Sequence, residues 1–134
     1  MELTYLGHSC FLLVSGGLRV LIDPFISPNP LAEEVSLEGL SPTHVLLTHG
    51  HEDHVADAEI VLKRSGAQLV APYEVAMWFG AKGVEDVVPV NPGGHLQLES
   101  GGHAAGVRVV GAVHSSTLPD GKPGGVPCGF VLDF

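Results

Sequence analysis

A chain of 134 residues has room for one domain of common size built on one core. Six Lys and Arg against fifteen Asp and Glu give a formal charge of −9, which argues against a binder that works by neutralising many phosphates. With 45% hydrophobic and only 16% charged residues, the chain is too apolar for disorder of the low-hydrophobicity, high-charge kind.

The eighteen Gly and ten Pro residues predict many turns and short elements rather than a bundle of long helices. No apolar run exceeds the five residues of Cys10 to Val14 or Val75 to Phe79, whereas a membrane-spanning helix needs roughly 20. Met1-Glu2-Leu3-Thr4-Tyr5 lacks the basic start and apolar core of a secretory signal, so a cytoplasmic location is expected. Cys10 and Cys128 both stand beside apolar residues and read as buried reduced thiols.

Leu3 to Leu6, Cys10 to Val14 and Leu18 to Ile22 read as three strands of a meander, with Gly16-Gly17 as a two-residue hairpin turn. A Pro-punctuated loop follows Asp23-Pro24, and Ser41-Pro42 excludes helix just before His44-Val45-Leu46-Leu47-Thr48, which reads as a buried strand. The spacing of Val55, Ala58, Val61 and Leu62 predicts a helix from Asp53 to Arg64, stopped by Ser65-Gly66. Gln68 to Ala71 is the next short strand, and Pro72 opens a second helix, Tyr73 to Ala81, closed by Lys82-Gly83. Val84 to Val90, Leu96 to Leu98, Val107 to Val113 and Cys128 to Leu132 read as further strands, with Gly93-Gly94 and Gly101-Gly102 as hairpin-like punctuation. No Gly pattern precedes a helix in the manner of a phosphate loop.

The chemistry concentrates in Thr48-His49-Gly50-His51-Glu52-Asp53-His54, where a buried strand runs out and a helix begins. His49 and His51 point the same way in an extended turn, and Asp53 and His54 stand at the helix entrance. Imidazole and carboxylate are ligands for zinc, manganese or iron, and a strand-end loop is where a scaffold presents reactive groups. A histidine tag would be terminal and would lack both the Asp and the flanking strand and helix.

His49-x-His51-x-Asp53-His54 resembles the signature of the metallo-β-lactamase superfamily. Thr4-Tyr5-Leu6-Gly7-His8-Ser9, Leu21-Ile22-Asp23-Pro24-Phe25 and His114-Ser115-Ser116 are similar to its uncharacterised metal-dependent hydrolases, relatives of the L-ascorbate-6-phosphate lactonase branch. The resemblance covers essentially the whole chain. It implies an α/β fold of mixed type: an αββα sandwich of two mixed sheets face to face with helices outside and metals at one edge. It also implies that His49, His51 and His114 hold one metal while Asp53 and His54 hold a second. The implied metal is zinc, at two sites when the domain is complete, with manganese, iron or nickel able to take the same donors. Asp23 resembles the acid that orients a ligating imidazole from behind, although a turn-forming Asp before Pro reads the same way. His8 lines the metal cleft or caps a tight turn, and the sequence leaves both open. His44, His95 and His103 match no motif and read as surface or turn residues.

The family pattern also needs a carboxylate that bridges the two metals and a last His on the second, and Asp133 precedes the hairpin that leads to that carboxylate. Residues 1–134 therefore read as the N-terminal half of a metallo-β-lactamase-like domain. Because each sheet of a sandwich buries its inner face on the other, strands such as Val45 to Leu47 and Val107 to Val113 are expected to lack a cover. The expected partner is a complementary C-terminal half or a second copy of the chain. The implied function is hydrolysis by metal-bound hydroxide of a lactone, ester or phosphate ester of a small metabolite, with Asp53 in the catalytic set. A nuclease is disfavoured by the charge. The rival is a non-catalytic metal-binding half-domain or assembly subunit, in which four protein ligands would close the coordination sphere.

Overall fold

The computed structural model describes residues 1–134 as two sheets. The larger holds β1 (Glu2–Gly7), β2 (Cys10–Ser15), β3 (Leu18–Ile22), β4 (His44–Leu46), β5 (Gln68–Pro72) and β6 (Val87–Val90), in that order across the sheet. The first three strands form the expected antiparallel meander, turned at Gly16-Gly17, and β3 through β6 run parallel. The smaller sheet holds β7 (His95–Ser100), β8 (His103–Gly111) and β9 (Cys128–Asp133), all antiparallel rather than mixed.

The alternation of apolar residues assigns the faces. Leu21, Val45, Leu47, Leu69 and Ala71 point outward and are covered by Val61, Leu62, Val75, Ala76 and Phe79 from the helices. Leu18, Val20, Leu46 and Val70 point inward onto Leu98, Ala105 and Val107 of the smaller sheet. The inner faces thus cover each other at β3 to β5, which corrects the expectation that Val45 to Leu47 and Val107 to Val113 lack a cover: Val45 and Leu47 lie under the helices, Leu46 and Val107 between the sheets, and Val109 is buried, while Val110 and Val113 are exposed. Leu46 and Val107 are at most 1% exposed. A bare strip does exist, on β1 and β2. Leu3 pairs across strands with Leu13, and Tyr5 with Phe11, on this same inner face, yet Leu3 and Tyr5 are 60% and 58% exposed. At the site's edge the layers are tied by a backbone hydrogen bond from Cys128 N–H, at the start of β9, to the carbonyl of Thr48, just beyond β4, at 2.9 Å.

The helix expected from Asp53 to Arg64 is two, α1 (Glu52–Val55) and α2 (Ala58–Ser65). Asp57 causes the break: its N–H donates to the Pro24 carbonyl instead of continuing the helix, and its buried carboxylate accepts from Ile26 N, Ser27 N and Ser27 Oγ. Gly66, at φ +68°, closes α2 through its N–H to Leu62, as expected. The second predicted helix is α3 (Tyr73–Ala81) with the expected bounds.

Other boundaries move. The strand expected from Val84 starts at Val87, because the Val84 N–H is taken by Phe79 at the end of α3. The fourth strand stops at Leu46 rather than Thr48, and β8 runs earlier than expected, ending at Gly111. Gly101-Gly102 turns the β7–β8 hairpin, whereas Gly93-Gly94 lies where the chain crosses between sheets. His95 and His103 are exposed as expected, but His44 is buried at the head of β4, its Nδ1 2.9 Å from Thr43 Oγ1. Cys10 and Cys128 are free and buried, and burial pushes both thiols up to about 12. No helix is long and apolar enough to cross a membrane.

Candidate metal centre

The carboxyl ends of β3 and β4 carry the site. Asp23 follows β3 with φ +45°, a left-handed conformation that Asp tolerates better than most residues. This turns its buried carboxylate toward the segment after β4, where Oδ1 accepts from Thr48 N at 2.8 Å and Oδ2 from Thr48 Oγ1 at 2.7 Å. The Thr48 hydroxyl has one proton and gives it to Asp23, so at 2.9 Å it accepts from His49 Nδ1. His49 Nε2 is left with a bare lone pair. It is also the one buried side-chain nitrogen or oxygen in the chain with no partner.

That lone pair belongs to a cluster. His49, His51 and His114 bring ligand-type atoms within 4.8 Å of one another, with ring centroids 4.6 to 5.0 Å apart. A second group under the same limit joins His8, Asp53 and His54. His54 Nδ1 lies 2.8 Å from Asp23 Oδ2, and His8 Nε2 lies 3.1 Å from Asp53 Oδ2. The groups touch where the His49 and His54 rings approach to 4.1 Å. A cleft of about 370 Å³ opens beside them, lined by Asp23, His49, His54 and His114 together with Phe11 and Cys128.

Burial, seconded by the neighbouring His54, pushes His49 down to about 4, so the ring is neutral near pH 7. Burial also acts to lower His54, but its hydrogen bond to Asp23 and the charges of Asp23 and Asp53 outweigh it and the net shift is upward.

All five expected ligand residues therefore lie in two adjoining clusters, and Asp23 stands behind both. His8 occupies a tight turn at φ +53°, and its ring faces Asp53. The donor set fits a divalent transition metal, because imidazole nitrogen and carboxylate oxygen are its usual ligands, and the rings of His49 and His54 are each held from behind by an oxygen, of Thr48 and of Asp23. A bound cation at His49, His51 and His114 would supply Lewis acidity and lower the pKa of a coordinated water. Thr48, Asp57 and Ser116 escaped notice as structural contributors; the hydroxyl beside His49 and the acid three residues beyond His54 were the available signals.

A two-sheet sandwich with two adjoining histidine clusters at one edge defines the class, an α/β protein with a metal-type site. Residues 3–122 match the Metallo-beta-lactamase superfamily, and the chain belongs to it. It is 41% identical over 133 residues to a UPF0173 metal-dependent hydrolase of Methylacidiphilum infernorum and 45% identical over 142 residues to one of Chelativorans sp.. It covers 99% and 100% of itself in these matches but only 57% and 58% of those proteins. Among solved structures, Igni18, a metallo hydrolase of Ignicoccus hospitalis, superposes with a TM-score of 0.79 at 34% identity, over 97% of this chain and 54% of that one. An isothiocyanate hydrolase from Delia radicum gut bacteria shares the fold, with a TM-score of 0.69 at 21% identity over 98% of this chain and 57% of that one.

Proposed function

We propose that the chain carries the first metal site and part of the second of a metal-dependent hydrolase acting on a lactone, ester or phosphate ester of a small metabolite. The observation that carries this reading is the buried, unpartnered Nε2 of His49 beside His51 and His114. His114 is exposed, which favours a site with an open coordination position over a closed structural one. Zinc is the proposed metal, with His49, His51 and His114 at one ion and Asp53 and His54 at the other. A lactone is the substrate favoured by the resemblance of the sequence to the L-ascorbate-6-phosphate lactonase branch, and the cytoplasm is the proposed location.

Residues 1–134 are proposed to work with a complementary C-terminal half. Leu3, Tyr5, Phe11 and Leu13 form an apolar strip that further strands beside β9 would cover, and the curated relatives are longer by more than two fifths of their own length. That half would also supply the bridging carboxylate. The test is hydrolysis of simple lactones, carboxyl esters and phosphodiesters with zinc, by the chain alone and with the complementary half of the Methylacidiphilum infernorum relative. Turnover is expected only in the complemented form, lost with a chelator and lost in Asp53→Ala while the metal at His49, His51 and His114 stays. A complemented protein that is inert on all three classes, or that turns over without metal, would end the reading. Light scattering is expected to show the isolated chain associating through its bare strip.

A further inference from the structure

We propose that Ser116 is a positioning residue that locks the turn carrying His49 and His51 to the loop carrying His114, so that the three imidazoles converge before any metal arrives. The inference rests on the proposed metal-binding role of those histidines. They come from two segments more than sixty residues apart, and convergence needs a tie between them. The Ser116 hydroxyl provides one: its Oγ accepts the Gly50 N–H at 3.0 Å, in the middle of the His49-Gly50-His51 turn and two residues from His114.

The loop does not need this hydroxyl to hold its own shape. Its closure runs through the backbone, with Gly124 N–H donating to the Ser116 carbonyl, Leu118 N–H to the Lys122 carbonyl, and a bridge between Thr117 and Pro123. Leu118, 3% exposed, seats the loop in the core against Gly50, and Trp78 Nε1 holds its far end through Asp120 at 2.9 Å. Gly50 is buried, and the Ser116 oxygen is what its N–H finds there.

Space around the hydroxyl is closed on two sides by glycines. A Cβ on Gly50 would stand 3.0 Å from Leu118 Cδ2 and 3.4 Å from Ser116 Oγ, and one on Gly124 would collide with Ser116 Oγ outright. Gly50 has no positive φ, so contact rather than backbone conformation asks for glycine there. The neighbouring Ser115 Oγ also reaches across, 3.3 Å from His51 Nε2, but on the exposed side and to a ligand-type nitrogen that a metal would claim, so the Ser116 bond to the buried Gly50 backbone is the tie that leaves all three imidazoles free.

The test is titration of the full chain with cobalt(II) alone, read by the visible absorption of the bound ion, with circular dichroism and the thermal midpoint of the metal-free protein measured alongside. Ser116→Ala should weaken cobalt binding by about tenfold, the low end of what loss of a supporting hydrogen bond costs a metal site, and shift the absorption band. Ser116→Thr, which keeps the oxygen, should restore most of the affinity and the wild-type band. Wild-type affinity and band in Ser116→Ala, with the band lost in a His49→Ala, His51→Ala double variant, would overturn the proposal and leave the metal reading intact. A loss in Ser116→Ala that Ser116→Thr does not repair would also overturn it. No cobalt band in the wild type would remove the metal reading and this inference with it.

Discussion

The two histidine clusters differ in how they are held. His49, His51 and His114 come from segments fixed by β4, by the buried Leu118 and by the Thr48–Asp23 pair, and the innermost of them is buried with its tautomer set. His8, Asp53 and His54 lie at the rim, and the side chains of His8 and Asp53 are 39% and 51% exposed. Only His54 has its far nitrogen pinned, by the same Asp23. A pre-organised cluster and a loose one thus share a single supporting carboxylate. Binding should therefore be ordered, with the first ion at the rigid group.

The largest expected effect tests that order. In His49→Ala with His51→Ala, elemental analysis should find no tightly held metal, and full retention would refute the assignment. Asp23→Ala attacks what the clusters have in common. It leaves two Thr48 donors and one His54 donor without an acceptor and puts Ala in a left-handed conformation, a loss of about 3 kcal/mol in urea unfolding. Both metal-binding events should weaken together, whereas independent clusters would not respond in parallel.

The pH dependence of the metal-free chain separates the clusters by sign. His49 titrates at about 4 when folded against 6.5 when unfolded, so its contribution is intact above pH 6.5 and declines as pH falls toward 4. Buried His44 adds a decline of the same sign. His54 is shifted upward, so its contribution is complete below pH 6.5 and fades as pH rises through the raised value. Urea midpoints from pH 4 to pH 8 should show a shallower acid-side decline in His49→Gln, with the His44 part remaining, and lose the opposite decline in His54→Gln. The smallest effect belongs to His8→Ala, within about 0.5 kcal/mol in stability because the ring is part exposed, with the second metal event weakened and the first untouched.

Most of the architecture was legible because periodicity reports local burial: the meander, the bounds of α3 and the strand-to-helix placement of the histidines all follow from it. What escaped depended on contacts distant in sequence. Asp57 fits a helical pattern, and only the loop at Ile26 and Ser27, thirty residues earlier, shows why the helix stops there. His44 reads locally as a surface residue, and only its pairing between Val20 of β3 and Gln68 of β5 shows why it is buried. The cover over Leu46 is not legible locally, because the strand patterns of β7 to β9 do not show that these strands form a sheet folded back over β3 to β5. The metal-type residues were legible as a motif, while the supporting roles of Thr48 and Ser116 required three dimensions.

The backbone bond from Cys128 of β9 to Thr48, just beyond β4, gives the molecule a natural reporter. Most amides in the strands are protected by neighbours within their own sheet and exchange with deuterium when that sheet frays. The Cys128 amide is protected across the gap, so its exchange rate measures how often the two layers part. Its acceptor is the residue whose hydroxyl sets the tautomer of His49. Slower exchange at this one position on adding zinc or cobalt would show the ion fastening the layers together at their edge, a change invisible to probes that average over the whole chain.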